Sequence, residues 1–343
     1  MKAAVYRGPH DIAIEDRPVP RIVDAADVLV RVRRAGICGS DAAEWDHGPV
    51  LARPPVVLGH EFMGEVVDCG PQAQATGLAP GQRVVSGAGV WCARCEWCAA
   101  GRPNLCASYQ TLGFHVDGGL AEYVCVPSRT IRRVPDGVDD DAAALAQPLA
   151  VALHAVDRSR LTSAETCVVI GVGGIGSFVV AAARARGAGH VVAIDVDARR
   201  LEAASALGAD STYAVHGADL EEVIHTAVRE GPHVVIEASG SALAPGAAIA
   251  AVRRGGRIVL VGLQSALRAV DLLAVSTREL ELVGTLAHVC DQNLPEALSA
   301  LQARDLARLV VDRTISLAEL VPVGIATLLQ QSGTGKFLID PTP

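Results

Sequence analysis

Cys92, Cys95, Cys98 and Cys106 fall within one short segment at the spacing C-x2-C-x2-C-x7-C. Four thiolates this close can surround a zinc ion tetrahedrally, and a site filled by four protein ligands keeps no open position for chemistry. Its expected role is to brace a loop. An iron–sulfur cluster is open to the same spacing. The intervening residues AR, EW and AAGRPNL do not resemble the ferredoxin run with its trailing proline, which favours zinc. A second set is dispersed: Cys38 stands in the turn AGICGSD and His60-Glu61 in VVLGHEF. One thiolate, one imidazole and one carboxylate suit zinc, with water in a fourth position. A lone cysteine and a His-Glu pair are also ordinary structural residues, so these three gain weight only from what accompanies them.

A phosphate-binding turn accompanies them. The run CVVI leads into Gly171-Val172-Gly173-Gly174-Ile175-Gly176, matching G-x-G-x-x-G at 171, 173 and 176. The first glycine permits a tight turn, the second lets a pyrophosphate approach the backbone, and the third lets the helix pack on the strand. The helix N-terminus then offers unpaired N–H groups to the phosphates. Asp195, nineteen positions after Gly176, closes the next apolar run, VVAID. A carboxylate there accepts ribose hydroxyls of NAD and repels the 2′-phosphate of NADP. Arg200, five residues on, would tolerate that phosphate, yet Asp195 favours NAD. Val261-Gly262-Leu263 ends a later strand where backbone groups can meet the nicotinamide. A dinucleotide site gives the dispersed set a purpose, because hydride removal from an alcohol needs its proton acidified, and a Lewis-acid metal does that.

The elements that must position these residues are of two kinds. Up to about residue 140, short β-branched runs such as Asp27–Val32, Gly64–Val67, Arg83–Ser86 and Ala121–Val126 alternate with Gly and Pro, the pattern of an antiparallel β domain. From about Leu145, strands alternate with helices. Strands are expected at 167–170, 191–194, 234–236, 257–261 and 280–283, with helices at 175–186, 198–207, 219–228 and 242–252. That alternation implies a parallel sheet with helices on both faces. A helix-like stretch at 294–304 and a β-like KFLID end the chain, and the return of this tail to the first domain is expected.

Composition bounds the function. The 343 residues are 50% hydrophobic, enough for about two domains. With 38 acidic against 30 basic side chains and 3% aromatics, neither a phosphate backbone nor an anionic membrane is an expected partner. The most apolar stretch, 168–183, is broken by glycines and too short for a membrane span of about 20 residues. No targeting segment is expected, because charge and proline interrupt the N-terminal stretch. Nine cysteines without a leader point to a reducing compartment, the cytoplasm.

As a set, GHE, CGSD, the four-cysteine loop and VIGVGGIG resemble the zinc-containing medium-chain alcohol and polyol dehydrogenases, over nearly the whole chain. CGSD, LGHEFMGEVV and QPLAVALHAV look most like the butanediol and sorbitol dehydrogenase branch. The resemblance implies an α/β chain: a GroES-like catalytic domain with both zinc sites (1–148 and 287–343) and an inserted Rossmann NAD-binding domain (149–286). It implies Cys38, His60 and Glu61 as catalytic-zinc ligands, Ser40 as the hydroxyl that takes the alcohol proton, and Asp41 as the carboxylate that orients the ligand histidine. It also implies two Zn2+ per chain, a small alcohol or ketone as partner (a diol, polyol or cyclitol), and a homodimer or homotetramer. Two positions depart from the branch. Gln147 stands where a carboxylate usually precedes Pro-Leu, and Ala43 where a relay histidine is usual. Glu44 and His47 are then candidate proton exits, and Trp45 and Phe114, expected in loops, candidate pocket walls. Those departures motivate an alternative: a catalytically weakened NAD-binding redox sensor or scaffold on the same fold.

Overall fold

Runs such as Val191–Ile194 carry no polar residue, so a strand built from them must be buried on both faces, as parallel strands are. In the computed structural model, which describes residues 1–217, 219–264 and 266–342, strands of this kind form the centre of one six-stranded parallel sheet: β1 (Thr166–Ile170), β2 (His190–Asp195), β3 (Ser211–Ala214), β4 (Val234–Glu237), β5 (Arg257–Leu260) and β6 (Glu281–Gly284). Their order is β3-β2-β1-β4-β5-β6. The order reverses between β1 and β4, and nucleotides bind at the carboxyl ends of strands flanking such a switch point. Val168, Ile170, Val192, Ile194, Val235 and Ile258 fill the core beneath it.

The helices of this unit obey local rules. Gly174–Ala185 follows β1, and Ala198–Leu207 follows β2. In the second, the Asp197 side chain accepts from the Arg199 N–H at 2.8 Å, and Gly208, at φ +120°, ends the helix. Leu220–Ala227 and Ala244–Ala251 lie within the expected helical stretches. Two elements were not expected. β3 is a four-residue edge strand with half its residues exposed, and Leu272–Thr277 is a helix of six residues with none buried. Neither has enough buried residues to impose a period on the sequence.

The chain divides into two compact units, Met1–Ala150 with Val289–Pro343, and Val151–His288. The first is built on a seven-stranded sheet. Its order runs Ile131–Arg133, Arg83–Ser86, Glu61–Cys69, Asp27–Gly36, Lys336–Asp340 and Val311–Ser316, with Tyr123–Pro127 also pairing to Asp27–Gly36. The C-terminal KFLID strand is therefore a sheet neighbour of Asp27–Gly36, with Leu338 opposite Gly36. One pairing in the C-terminal tail is parallel: Val311–Ser316 runs alongside Lys336–Asp340. Parallel neighbours need a long crossover. Here the chain between them winds through short helical turns from Leu317 to Leu329. No helix among the described residues is long and apolar enough to cross a membrane.

Candidate active site and metal centres

Strand register creates the dispersed set. Asp27–Gly36 and Glu61–Cys69 are antiparallel, with Gly36 directly opposite Glu61. Cys38, two residues past the end of one strand, thus arrives beside His60 and Glu61 at the start of the other. Ligand atoms of Cys38, His60 and Glu61 all lie within 4.8 Å of one another. Gly36 is required at this point, because a Cβ there would collide with Glu61 Oε2.

Cys38 does not sit in a simple turn. It caps the helix Gly39–His47, whose first turn carries Ser40 and Asp41 and which also holds Trp45, a residue expected in a loop. The Cys38 N–H donates to Asp41 Oδ2 at 2.9 Å, and Asp41 Oδ1 lies 3.8 Å from His60 Nδ1. Asp41, fully buried, therefore links the ligand cysteine's backbone to the histidine ring. The Phe114 ring lies 5.0 Å from the His60 ring, and Trp45 meets His10 edge-on at 5.4 Å. Burial opposes protonation of His60, but the Asp41 carboxylate, Cys38 and Glu61 outweigh it and hold its pKa up at about 9. Burial pushes the Asp41 carboxyl up as well.

These residues fit a divalent cation. Among the described residues, Glu61 Oε1 is buried without a hydrogen-bond partner. Buried polar atoms are costly unless satisfied, and a metal satisfies acceptors that a protein donor does not. Gln147 is buried in the helix Ala146–Ser159, and Ser40 is half-buried. Glu44 proves to be a loop anchor: its carboxylate accepts from the N–H groups of Val50 (2.9 Å), Leu51 (2.5 Å) and Ala52 (3.1 Å). Both oxygens are thus in use, and His47 is exposed beside an equally exposed Asp46.

The second set is local. Cys92, Cys95, Cys98 and Cys106 gather their sulfurs within 4.8 Å, with Cys95 Sγ 3.5 Å and Cys92 Sγ 4.0 Å from Cys98 Sγ. A tetrahedron with Zn–S bonds of about 2.3 Å has S···S edges of about 3.8 Å, so the spacing suits zinc. All four are free thiols. Backbone amides of Cys98 and Ala107 hold the Cys95 thiol down at about 6, and amides of Arg94 and Cys95 lower Cys92. Such N–H groups directed at sulfur stabilise the thiolates a metal requires.

In the other unit, β1 leads into Gly171 at φ +81°, and a Cβ on Gly176 would overlap the Gly171 carbonyl oxygen. Both positions need glycine. Gly173 caps the helix beginning at Gly174-Ile175, with open space on its Cβ side apart from Arg200 Nη1 at 4.0 Å. Asp195 ends β2, nearly buried. Its Oδ2 accepts from the Val172 N–H at 2.7 Å and its Oδ1 from the Asp197 N–H at 3.0 Å, with Arg200 Nη1 at 3.7 Å. The carboxylate is thus oriented by the glycine turn itself. Val261 and Gly262 follow β5, donating their N–H groups to the Glu237 carbonyl, while Leu263 is exposed. Glu237, not singled out from sequence, is fully buried and accepts from Ser239 N–H and Oγ and from Gly240 N–H, which shapes the turn after β4. Lys336 was also missed. Its signal was rarity: two of the thirty basic residues are lysines, and this one starts an apolar strand.

Comparison with known proteins agrees with this geometry. Residues 24–136 match the alcohol dehydrogenase GroES-like domain, and residues 174–303 match the zinc-binding dehydrogenase domain. Sorbitol dehydrogenase of Bacillus subtilis (strain 168) is 38% identical over 270 residues, 77% of this chain and 76% of its own. Probable D-xylulose reductase A of Aspergillus fumigatus is 35% identical over 326 residues, 90% of this chain and 89% of its own. The crystal structure of 2R,3R-butanediol dehydrogenase from Bacillus subtilis matches with a TM-score of 0.88 at 28% identity, covering 99% of each chain. With two domain models and relatives spanning most of its length, the chain belongs to the zinc-containing medium-chain alcohol and polyol dehydrogenases.

Proposed function

We propose that this dehydrogenase uses NAD and two zinc ions per chain to interconvert a secondary alcohol and its ketone, on a small diol, polyol or cyclitol. The observation that carries the reading is the contrast between the two ligand sets. Four cysteines form a closed set, whereas Cys38, His60 and Glu61 supply three donors and leave a position for substrate oxygen. When bound, zinc supplies a Lewis acid that acidifies the hydroxyl, and NAD supplies the hydride acceptor. Ser40, next but one to Cys38 and half-buried, takes the alcohol proton. Asp41 keeps the His60 ring oriented. Gln147, being neutral, leaves the ligand charge at that of Cys38 and Glu61, which balances Zn2+. With Ala43 in place of an imidazole and Glu44 committed to its loop, the proton passes from Ser40 to water. The sorbitol, xylulose and butanediol names of the relatives support a vicinal diol or polyol as substrate class. The alternative of a sensor without turnover is not favoured, because the ligand set is complete. The deciding experiment measures NAD+ reduction across a panel of diols, polyols and cyclitols, with and without a chelator. Chelator-sensitive turnover of at least one is expected, and chelator-resistant turnover would overturn the zinc assignment.

Asp195 supports NAD over NADP. Its carboxylate, already held by two backbone amides, faces a 2′-phosphate with a fixed negative charge. NAD is expected to be preferred by at least about tenfold in kcat/KM, roughly 1.4 kcal/mol. Asp195→Ala should erode the preference mainly through the cofactor KM, measured with both cofactors at one alcohol concentration. Equal efficiency in the unsubstituted protein would shift specificity to Arg200.

A cytoplasmic homodimer or homotetramer completes the reading. Nine free cysteines suit a reducing compartment. β6 is an edge strand whose Leu282 is exposed, with Leu272, Leu273 and Leu286 exposed nearby in sequence. An apolar open edge is a pairing surface that a protein must cover. Leu282→Lys is expected to shift the protein toward monomer in sedimentation analysis, and an unchanged mass would place the interface elsewhere.

A further inference from the structure

Lys336 and Glu61 lie on strands that flank Asp27–Gly36 on opposite sides, two strand spacings apart. Glu61 stands opposite Gly36 on one side and Leu338 on the other. Because Gly36 has no side chain, the two long side chains meet across it. The Lys336 ammonium pairs with Glu61 Oε2 and donates to the Ile37 carbonyl at 3.1 Å. Their side chains are 5% and 1% exposed. A lysine is almost never this buried unless paired. The ion pair is made through Oε2 alone, and beyond it neither Glu61 oxygen has a hydrogen-bond partner among the described residues.

We infer that Lys336 is a positioning residue for Glu61: it holds Oε2, restricts the carboxylate to ligation through Oε1, and weakens its hold on the metal so that a coordination position stays open for substrate. The inference rests on the reading of Cys38, His60 and Glu61 as a zinc set. An ammonium is a compact point charge, whereas a guanidinium engages both oxygens of a carboxylate at once. In a chain whose basic residues are otherwise almost all arginine, lysine at this position leaves Oε1 free. The positive charge beside the cation also opposes its binding, since like charges in a poorly solvated site repel strongly.

Two substitutions therefore move zinc affinity in opposite directions. Lys336→Gln removes the charge and keeps a hydrogen-bond donor; zinc should bind at least about tenfold more tightly, a difference of about 1.4 kcal/mol. Lys336→Arg keeps the charge and occupies both oxygens; zinc should bind about tenfold more weakly. Both are measured on the full chain by zinc titration against a competing chelator, with Cys38→Ala identifying which equivalent belongs to this site. A purely structural lysine would make both variants weaker or leave both unchanged, and either pattern overturns the inference. Should Lys336→Gln not fold, the Arg variant decides: affinity equal to that of the unsubstituted protein overturns the proposal. Absence of any Cys38-dependent zinc in the unsubstituted protein would instead overturn the zinc reading itself, and this inference with it.

Discussion

Cys38→Ala is expected to lower kcat/KM for alcohol oxidation by at least about three orders of magnitude while leaving the fold in place. A metal that polarises a reacting oxygen contributes several kcal/mol to the barrier, and about 4 kcal/mol corresponds to that factor. Cys38 is half-buried at a helix N-terminus, and its N–H bond to Asp41 belongs to the backbone, so alanine preserves it. The lost thiol removes only the side-chain half of the cap, about 1 kcal/mol or less. Stability must be compared with that of the metal-depleted parent, because any bound ion stabilises the folded state by mass action. In that comparison a melting-temperature change of roughly 2–4 °C or less is expected. Zinc analysis should show one equivalent fewer. A variant that keeps full zinc content and near-normal turnover would remove Cys38 from the ligand set.

Cys98→Ser should give the opposite phenotype. Cys98 sits between Cys95 and Cys92, at 3.5 and 4.0 Å, and loss of one of four thiolates leaves the other three without a closed tetrahedron. Metal binding at such a site is folding free energy for the segment that carries the ligands. The part of it before Pro103 has little else to hold it. Its helix Glu96–Ala99 is four residues long and buries none of them. The expected cost is about 3–5 kcal/mol, read as a fall in melting temperature of roughly 10 °C. At a temperature where the variant stays folded, the remaining zinc belongs to the Cys38 set, and kcat/KM should stay within about tenfold of the parent. Calorimetry, zinc content and kinetics on one preparation check all three. If Cys98→Ser retained two zinc ions and an unchanged melting temperature, the four-cysteine loop would not be a metal site.

The two phenotypes separate because the two sets are assembled differently, and the same difference governs what was legible in the residues. The four-cysteine set lies in one short segment, so spacing alone brings its members together. The Rossmann-like unit was equally legible. Its central strands are buried on both faces and read as apolar runs, and the glycines at 171 and 176 stand where no side chain fits. The elements missed there, Ser211–Ala214 and Leu272–Thr277, are short and bury too little to leave a period.

Cys38, His60 and Glu61 are another matter. Their residue types suggested zinc, but their meeting depends on Gly36 falling opposite Glu61, and strand register is set by long-range packing that no local pattern encodes. The helical position of Cys38 and Trp45 was hidden for a related reason. The Gly39–His47 helix is anchored by Asp41 and packs against Lys2–Gly8 and the turns Leu320–Leu329, all distant in sequence from it. Glu44 looked like a proton carrier until the loop amides at Val50, Leu51 and Ala52 came to rest on it. Lys336 lies nearly three hundred residues from Ile37, whose carbonyl it contacts, and only the return of the C-terminal strand to Asp27–Gly36 brings it to Glu61. Residue type and spacing determined which chemistry this chain carries and the unit that holds the dinucleotide motif. Tertiary structure alone decided which charges surround the catalytic ligands, because a charge acts across space and these neighbours are distant in sequence.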